Sequence, residues 1–196
     1  RNDATWGGTM SNYAVYSDDG GITWQTSQNA ACTNGDEAKV VELTNGNILM
    51  SIRNRAKGHR LFSFSTDGGE TWSEPLLNKT ILDPACNGDI IAYNHKGKNL
   101  LLHSLPASPT TRENVTIYIS ENNGETWVPK RRIYNGYSAY SSLQVLDDGT
   151  IGIIVEEGKW DSNLPGEDGF NLGYYHFTID WLLEGDKQDQ LFRNSM

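Results

Sequence analysis

The sequence is short of basic side chains: 16 lysines and arginines are set against 25 aspartates and glutamates, which gives a formal net charge of −9. Phosphate groups would repel such a chain, so neither nucleic acid nor an anionic membrane surface is an expected partner. Long apolar runs are missing as well. The run at residues 151–155 has only the length of one strand, so no membrane span is predicted.

Cysteine is also scarce, since Cys32 and Cys86 are the only two in the sequence. Two cysteines are too few for a zinc site or a disulfide framework, and no metal or cofactor is predicted. Both cysteines precede similar strand patterns in neighbouring repeats. A bridge between them and a pair of buried free thiols are therefore both compatible with the sequence.

Helical periodicity is nearly absent, and short strand-like runs alternate with turns rich in glycine, asparagine and aspartate. Hairpins are predicted at residues 38–54, 88–104 and 139–157, each with a glycine at its turn. Further strands are predicted at residues 59–65, 114–120 and 172–182. Four-stranded units that recur near every fifty residues are typical of the blades of a β-propeller.

An eight-residue motif, Ser-x-(Asp/Asn)-x-Gly-x-Thr-Trp, recurs three times, at intervals of 48 and 55 residues. Its copies are SDDGGITW, STDGGETW and SENNGETW, which begin at Ser17, Ser65 and Ser120. Acids beside glycines could form a calcium loop, but such a loop needs several oxygen ligands spaced along it. The third copy replaces the acid of the others with Asn122, and both residue types bond their own backbone in turns.

A structural turn is therefore the favoured interpretation of the motif. Three glycines are expected in backbone angles that other residues resist: Gly21, Gly69 and Gly124. Three tryptophans are expected to pack between neighbouring blades: Trp24, Trp72 and Trp127.

The blades can be counted along the chain. Residues 12–28 supply the outer half of one blade, two complete blades follow, and the last blade lacks the motif. These strands are too few for a closed ring, so the sequence predicts that the chain is a fragment or that a second polypeptide supplies other blades. Residues 186–196 are polar and are predicted to form a tail.

Five side chains suited to catalysis or binding are predicted to lie at strand ends: Glu37, Arg53, Arg112, Tyr140 and Glu156. The inner strand ends of a propeller converge on one face near its axis, so these residues form one candidate site although they span about 120 positions. Taken singly, Arg112 would be a solvated surface charge and Tyr140 a core aromatic. The joint pattern favours a site.

The tryptophan motif resembles the Asp-box repeat of sialidases, and the strand-end residues resemble the catalytic set of the sialidase superfamily. The resemblance covers about residues 12–183. It implies an all-β fold, a β-propeller that is six-bladed in the complete domain. This chain would be roughly its C-terminal half, over residues 1–185. Because the Asp-box also occurs in other propellers, the functional expectation depends on the strand-end residues.

The resemblance implies a role for each of the five residues. Tyr140, in AYSSL, matches the catalytic nucleophile, and Glu37, in DEAKVVEL, matches the base beside it. Arg53, in SIRN, and Arg112, in TTREN, match the second and third arginines of the triad that binds the substrate carboxylate. Glu156 matches the acid that orients the first arginine of that triad.

The implied function is that of an exo-α-sialidase, which removes terminal sialic acids from glycans with retention of configuration. Arginine binds a carboxylate through planar, charge-assisted hydrogen bonds, and a neutral phenol is not repelled by that carboxylate as a carboxylate nucleophile would be. The first triad arginine and the aspartate general acid have no match in the sequence. The chain is therefore predicted to be inactive without an N-terminal part that completes the propeller.

Two alternatives remain open at this stage. One is a non-catalytic Asp-box propeller that binds a glycan or a protein, and the other is a trans-sialidase. The expected partners are sialylated glycans and the N-terminal segment or chain. The family resemblance favours a secreted, periplasmic or cell-surface location.

Overall fold

The computed structural model describes residues 8–159 and 169–184, which form four antiparallel sheets and one short helix. The first sheet has two strands, β1 (Val15–Tyr16) and β2 (Gln25–Thr26). The second has four: β3 (Gly35–Glu42), β4 (Ile48–Asn54), β5 (Gly58–Ser65) and β6 (Leu76–Asp83). The third also has four: β7 (Asp89–His95), β8 (Lys98–Pro106), β9 (Val115–Ser120) and β10 (Val128–Arg132). The fourth has three: β11 (Ser138–Val145), β12 (Ile151–Glu157) and β13 (Asn171–Phe177).

Each sheet is a meander in which consecutive strands pair, as the blades of a propeller do. The hairpin turns fall at the predicted glycines. Gly46, Gly97 and Gly149 have φ angles of 80°, 83° and 79°, which glycine adopts without steric cost. The all-β fold, the leading half-blade and the two complete blades are therefore confirmed, and the last blade has three strands among the described residues.

Successive sheets pack face to face through three apolar clusters. Met50 and Ile52 of the second sheet, with Trp72 from the β5–β6 connection, meet Ala31 and Cys32, which follow the first sheet. A second cluster joins the second sheet to the third, and a third cluster joins the third sheet to the fourth. Burying one large aliphatic side chain contributes about 1.5–3 kcal/mol, so these interfaces hold the sheets in an arc.

The tryptophan motif forms a turn between the outer two strands of a blade, and its own side chains close it. Asp67 accepts a hydrogen bond from the backbone N–H of Thr71 (2.9 Å), and Asn122 accepts the equivalent bond from Thr126 (2.9 Å). The three motif glycines have φ angles between 85° and 103°. Hydrogen bonds to the turn thus occupy the oxygens that a calcium ion would need.

Two of the three motif tryptophans pack between blades as predicted. Trp127 is 3% exposed and lies against Phe62 of the preceding blade, with a ring-centroid distance of 5.7 Å, and Trp72 is 6% exposed. The prediction is wrong for Trp24, which is 63% exposed. Its indole N–H still donates to the Gly21 carbonyl (3.1 Å), as the other two do within their motifs, so the turn forms without interblade packing.

The strand predicted at residues 172–182 is partly wrong, because it ends at Phe177 and is followed by helix α1 (Ile179–Glu184). Thr178 caps this helix: its hydroxyl accepts the N–H of Trp181 (3.2 Å), and its carbonyl accepts that of Leu182 (3.2 Å). An acidic Asp180 in the first turn also suits a helix start. The predicted tail at residues 186–196 lies outside the described residues.

The cysteine alternatives are resolved by the structure: Cys32 and Cys86 are both buried free thiols. Over residues 8–159 and 169–184, no helix has the length and apolar character that crossing a membrane requires.

Candidate active site

Two β-bulges create the centre of the candidate site. In the β3–β4 pair, the register shifts so that Asp36 and Glu37 together lie opposite Arg53. In the β11–β12 pair, the register shifts in the same way, so that Ala139 and Tyr140 lie opposite Glu156. Bulges re-aim side chains and are common beside active sites. The β7–β8 pair of the intervening blade has no such shift.

Glu37 and Arg53 meet Tyr140 although the first two come from the second sheet and Tyr140 comes from the fourth. The Tyr140 hydroxyl donates a short hydrogen bond to Oε1 of Glu37. Nη1 of Arg53 donates to Oε2 of Glu37 at 2.6 Å and to the Tyr140 hydroxyl at 3.2 Å. All three predicted residues therefore form one hydrogen-bonded group at the inner strand ends.

Arg112 lies over the ring of Tyr140. Its guanidinium carbon is 5.7 Å from the centroid of the Tyr140 ring, within the range of a cation–π contact. Its Nη2 donates to the carbonyl of Ala85 at 2.8 Å. The backbone carbonyl of Arg112 accepts the N–H of Ser138 at 3.0 Å, which ties its loop to the start of β11.

Glu156 also lies beside Tyr140. Its Oε2 accepts a hydrogen bond from the backbone N–H of Tyr140 at 3.0 Å. This bond satisfies a donor that the bulge removes from the β-ladder. The expectation that Glu156 orients a further arginine stays a prediction.

The pKa values within this group follow from burial and from neighbouring charges. Partial burial, together with the hydrogen bond to Glu37 and its negative charge, raises the pKa of Tyr140 to about 12. Partial burial also pushes the pKa of Glu37 upward, but hydrogen bonds from Tyr140 and Arg53 outweigh it, so the pKa of Glu37 is lowered overall. Burial works against the charge on Arg53, yet the adjoining carboxylates outweigh it and raise the Arg53 pKa.

The arrangement holds a neutral phenol whose proton already points at an ionised carboxylate. Such a pair can act as nucleophile and general base, because the carboxylate can take the proton as the phenol oxygen attacks. Two guanidinium groups beside the phenol can bind an anionic group of a substrate.

Sequence reasoning missed Asp36. Its Oδ2 lies 3.6 Å from Nε of Arg53, and its Oδ1 accepts the N–H of Glu37 at 3.0 Å. Asp36 therefore adds a second carboxylate beside the Arg53 guanidinium, through an ion pair at Nε, whereas Glu37 accepts a hydrogen bond from Nη1. The adjacent acids Asp36 and Glu37 in the sequence were the available signal, but only the bulge shows that both face the same arginine.

Comparison with known proteins shows the family to which the chain belongs. A family model described as a BNR repeat-like domain matches residues 4–153. The sialidase of Micromonospora viridifaciens is 34% identical over 183 residues, which are 89% of this chain and 26% of that protein. The chain spans about a quarter of the length of this relative and of the Bacteroides fragilis sialidase.

Solved structures give the same result. The intramolecular trans-sialidase from Ruminococcus gnavus, solved with oseltamivir carboxylate, is 32% identical with a TM-score of 0.67, over 86% of this chain and 38% of that one. The NanB sialidase from Streptococcus pneumoniae is 26% identical with a TM-score of 0.70, over 87% of this chain and 28% of that one.

Proposed function

This chain belongs to the sialidase superfamily, and from that premise we propose that it is the C-terminal part of the catalytic propeller of an exo-α-sialidase. The observation that carries the proposal is the hydrogen-bonded group of Glu37, Arg53 and Tyr140, with Arg112 beside it. The proposed substrates are glycans that end in sialic acid.

The substrate carboxylate would bind to Arg53 and Arg112. Sialic acid carries a carboxylate on its anomeric carbon, and guanidinium groups bind carboxylates through paired, charge-assisted hydrogen bonds. Both arginines adjoin Tyr140, one at its hydroxyl and the other over its ring. A carboxylate held between them would bring the anomeric carbon next to the phenol oxygen.

Tyr140 would then attack the anomeric carbon while Glu37 takes the phenol proton. The C–O bond to the aglycone breaks, and a sialyl–tyrosine ether of the anomeric carbon forms. Water displaces the tyrosine in a second step, and two inversions give overall retention. A neutral nucleophile suits this substrate because a carboxylate would be repelled by the substrate's own charge. The raised pKa of Tyr140 keeps the phenol neutral until attack.

The reaction also needs a general acid that protonates the aglycone oxygen as it leaves, and the family resemblance implies a third arginine that binds the substrate carboxylate. We assign the general acid and the third arginine to a segment of the propeller N-terminal to the residues described. Support comes from the first sheet, where Val15, Ile22 and Trp24 are all exposed apolar side chains suited to packing against another blade. The 196-residue chain alone is then expected to be inactive towards sialosides.

A second candidate within the same chemistry is a trans-sialidase reaction, which is favoured by the 32% identity to the Ruminococcus gnavus intramolecular trans-sialidase. In such a reaction a hydroxyl of the sugar itself, rather than water, would displace Tyr140. Mass spectrometry of the product distinguishes the two, because the intramolecular product is one water lighter than sialic acid.

The substitution Tyr140→Phe tests the enzyme against the non-catalytic propeller in the intact protein, by which we mean this chain together with the N-terminal segment assigned above. Turnover of a sialoside should be lost, while calorimetry should still detect binding of sialic acid, since the arginines remain. If wild type and variant bind alike and neither turns over, the protein is a non-catalytic propeller. Unchanged turnover in the variant would rule out the nucleophile assignment.

A further inference from the structure

A fully buried ion pair lies behind the candidate active site. Arg60 on β5 and Asp83 at the end of β6 have no exposed side-chain surface, and Nη1 of Arg60 lies 3.1 Å from Oδ2 of Asp83. Removing two charges from water is costly, so a buried pair is weak evidence for stabilisation by itself. The hydrogen bonds that the pair makes to the backbone indicate a different role.

Asp83 fixes the backbone that carries Arg53. Its Oδ2 accepts the N–H of Asn54, the residue directly after Arg53, at 3.1 Å. The end of β4 is thus attached to the end of β6, although β5 lies between them in the sheet. Without this acceptor, a buried backbone donor at the end of β4 would lose its partner.

The same pair fixes the loop that holds Arg112. Oδ1 of Asp83 accepts the N–H of Cys86 at 3.0 Å, and Nη1 of Arg60 donates to the Cys86 carbonyl at 2.8 Å. Both polar groups of the Cys86 backbone are therefore held by one ion pair. The preceding residue, Ala85, presents its carbonyl to Nη2 of Arg112 at 2.8 Å.

Ala85 has a backbone conformation that alanine rarely adopts. Its φ angle is +60°, in the left-handed region where a Cβ atom is strained. Such a conformation persists only where its surroundings impose it, and strain of this kind clusters at functional sites. Here the Cys86 contacts impose it, and the result is a carbonyl directed at Arg112.

Arg60 also connects to the next blade. Its Nε donates to the hydroxyl of Ser51 at 2.8 Å, and that hydroxyl is 2.7 Å from Nε2 of the fully buried His103 on β8. The Arg60 guanidinium thus donates three hydrogen bonds, to Asp83, Cys86 and Ser51. Their directions are fixed by the planar guanidinium, and a lysine ammonium cannot reproduce them.

We propose that Asp83 and Arg60 are positioning residues that set the spacing of Arg53 and Arg112, and so make the site selective for the sialic-acid carboxylate. This inference rests on the proposed function. Neither residue touches the substrate. They act by holding the backbone of Asn54 and Cys86. Asn54 directly follows Arg53 in the chain, and the residue before Cys86 presents the carbonyl that binds Arg112.

The test uses two ligands and two variants of the intact protein. The ligands are sialic acid and its methyl ester, which lacks the charge. The variants are Arg60→Lys, which keeps a cation near Asp83 but loses the fork, and the double variant Arg60→Met/Asp83→Leu, which removes both charges and avoids an unpaired ion. Calorimetry should show sialic-acid affinity falling by about ten- to a hundredfold in both variants, the effect of a misplacement near 1 Å. Methyl-ester affinity should change by less than about twofold.

Leu182→Ala is the control for a merely structural role, since Leu182 is fully buried in the cluster between the third and fourth sheets. It should destabilise the protein without changing the ratio of the two affinities or the KM for a sialoside. The positioning variants should raise that KM. If they fold and bind sialic acid like the wild type, the inference is overturned. If the wild type itself does not prefer sialic acid to its ester, the proposed function fails instead.

Discussion

At the scale of single residues, the state of Tyr140 depends on Glu37. Partial burial and the adjoining carboxylate hold the pKa of the phenol at about 12, and the same hydrogen bond helps to keep the pKa of Glu37 low. Each residue thus keeps the other in the protonation state that the proposed reaction needs. A phenol whose pKa in the folded protein exceeds its unfolded value of about 10 stabilises the fold below pH ~10, and that contribution is lost as the pH rises towards 12.

The substitution Glu37→Gln should lower the pKa of Tyr140. The negative charge that disfavours the phenolate is then gone, while partial burial remains, so the pKa should fall from about 12 towards the ordinary value of about 10. Ultraviolet difference titration against Tyr140→Phe measures this phenol. A Tyr140 that titrates no earlier in Glu37→Gln than in the wild type would contradict the assigned cause.

In the intact protein, Glu37→Gln should also lower kcat by about 10²–10⁴-fold, the usual contribution of a general base. Glu42 on the same strand is exposed and makes Glu42→Gln a matched control, whose kcat should match the wild type. A Glu37→Gln enzyme with nearly normal kcat would show that another group accepts the phenol proton.

The five candidate residues could be proposed from the sequence because their types and their places at strand ends are local features, and their roles stay predictions. Their contacts could not. Glu37 and Tyr140 are 103 positions apart, and only the packing of blades brings them together. Asp36 was missed because strict strand alternation would have turned it away from Arg53, and the bulge that reverses this has no clear sequence signature. The strained Ala85 is likewise imposed by distant groups.

At the scale of elements, the tryptophan motif is a turn closed by its own acid or amide. In two copies an aspartate serves, and hydrogen bonds from the threonine and serine of the motif lower the pKa of Asp67 to about 2. The third copy uses Asn122, which keeps one accepting oxygen and has no charge to titrate.

Asp67→Asn should therefore reduce the sensitivity of the fold to acid. A carboxylate with a pKa of about 2 in the folded chain and about 3.9 in the unfolded chain stabilises the fold above pH ~4 and loses that effect as the pH falls towards 2. The variant should be less stable than the wild type at pH 7, and the difference should vanish near pH 2. Denaturant titrations at several pH values measure this, and a constant difference across them would contradict it.

Hairpins were predicted well because glycine turns are encoded by two residues, but the end of the last strand was not. The apolar stretch after Phe177 continues the strand pattern, whereas Thr178 and Asp180 supply the cap and first-turn acid of a helix. Local capping decides the structure there, and strand periodicity does not reveal it.

At the scale of the whole molecule, the sheets form an arc whose first sheet exposes apolar side chains. The equivalent tryptophans of the motif differ accordingly. Trp127 lies in an interblade cluster, whereas Trp24 is largely exposed. The sequence predicted the same environment for both, because the motif is the same and only the presence of a neighbouring blade differs.

Trp127→Ala in this chain should cost about 3–5 kcal/mol of unfolding free energy, as large buried aromatics do. Trp24→Ala should cost less than about 1 kcal/mol in the same chain, since its loss removes little buried surface. In a longer protein whose N-terminal blade covers Trp24, the cost of Trp24→Ala should approach that of Trp127→Ala. Urea denaturation of both lengths tests this, and a small cost at both lengths would show that no blade packs there.

The central proposal is that Tyr140 forms a covalent bond to the anomeric carbon of sialic acid, and trapping that bond tests the proposal most directly. A sialyl fluoride with a second fluorine on the carbon next to the anomeric carbon should label the intact protein. The second fluorine slows both the formation and the hydrolysis of the bond to Tyr140. Because the anomeric fluoride is a good leaving group, the bond still forms, and the adduct then accumulates. Peptide mass spectrometry should find one sialyl adduct, on Tyr140, and none in Tyr140→Phe. An adduct on another residue, or equal labelling of Tyr140→Phe, would contradict the account.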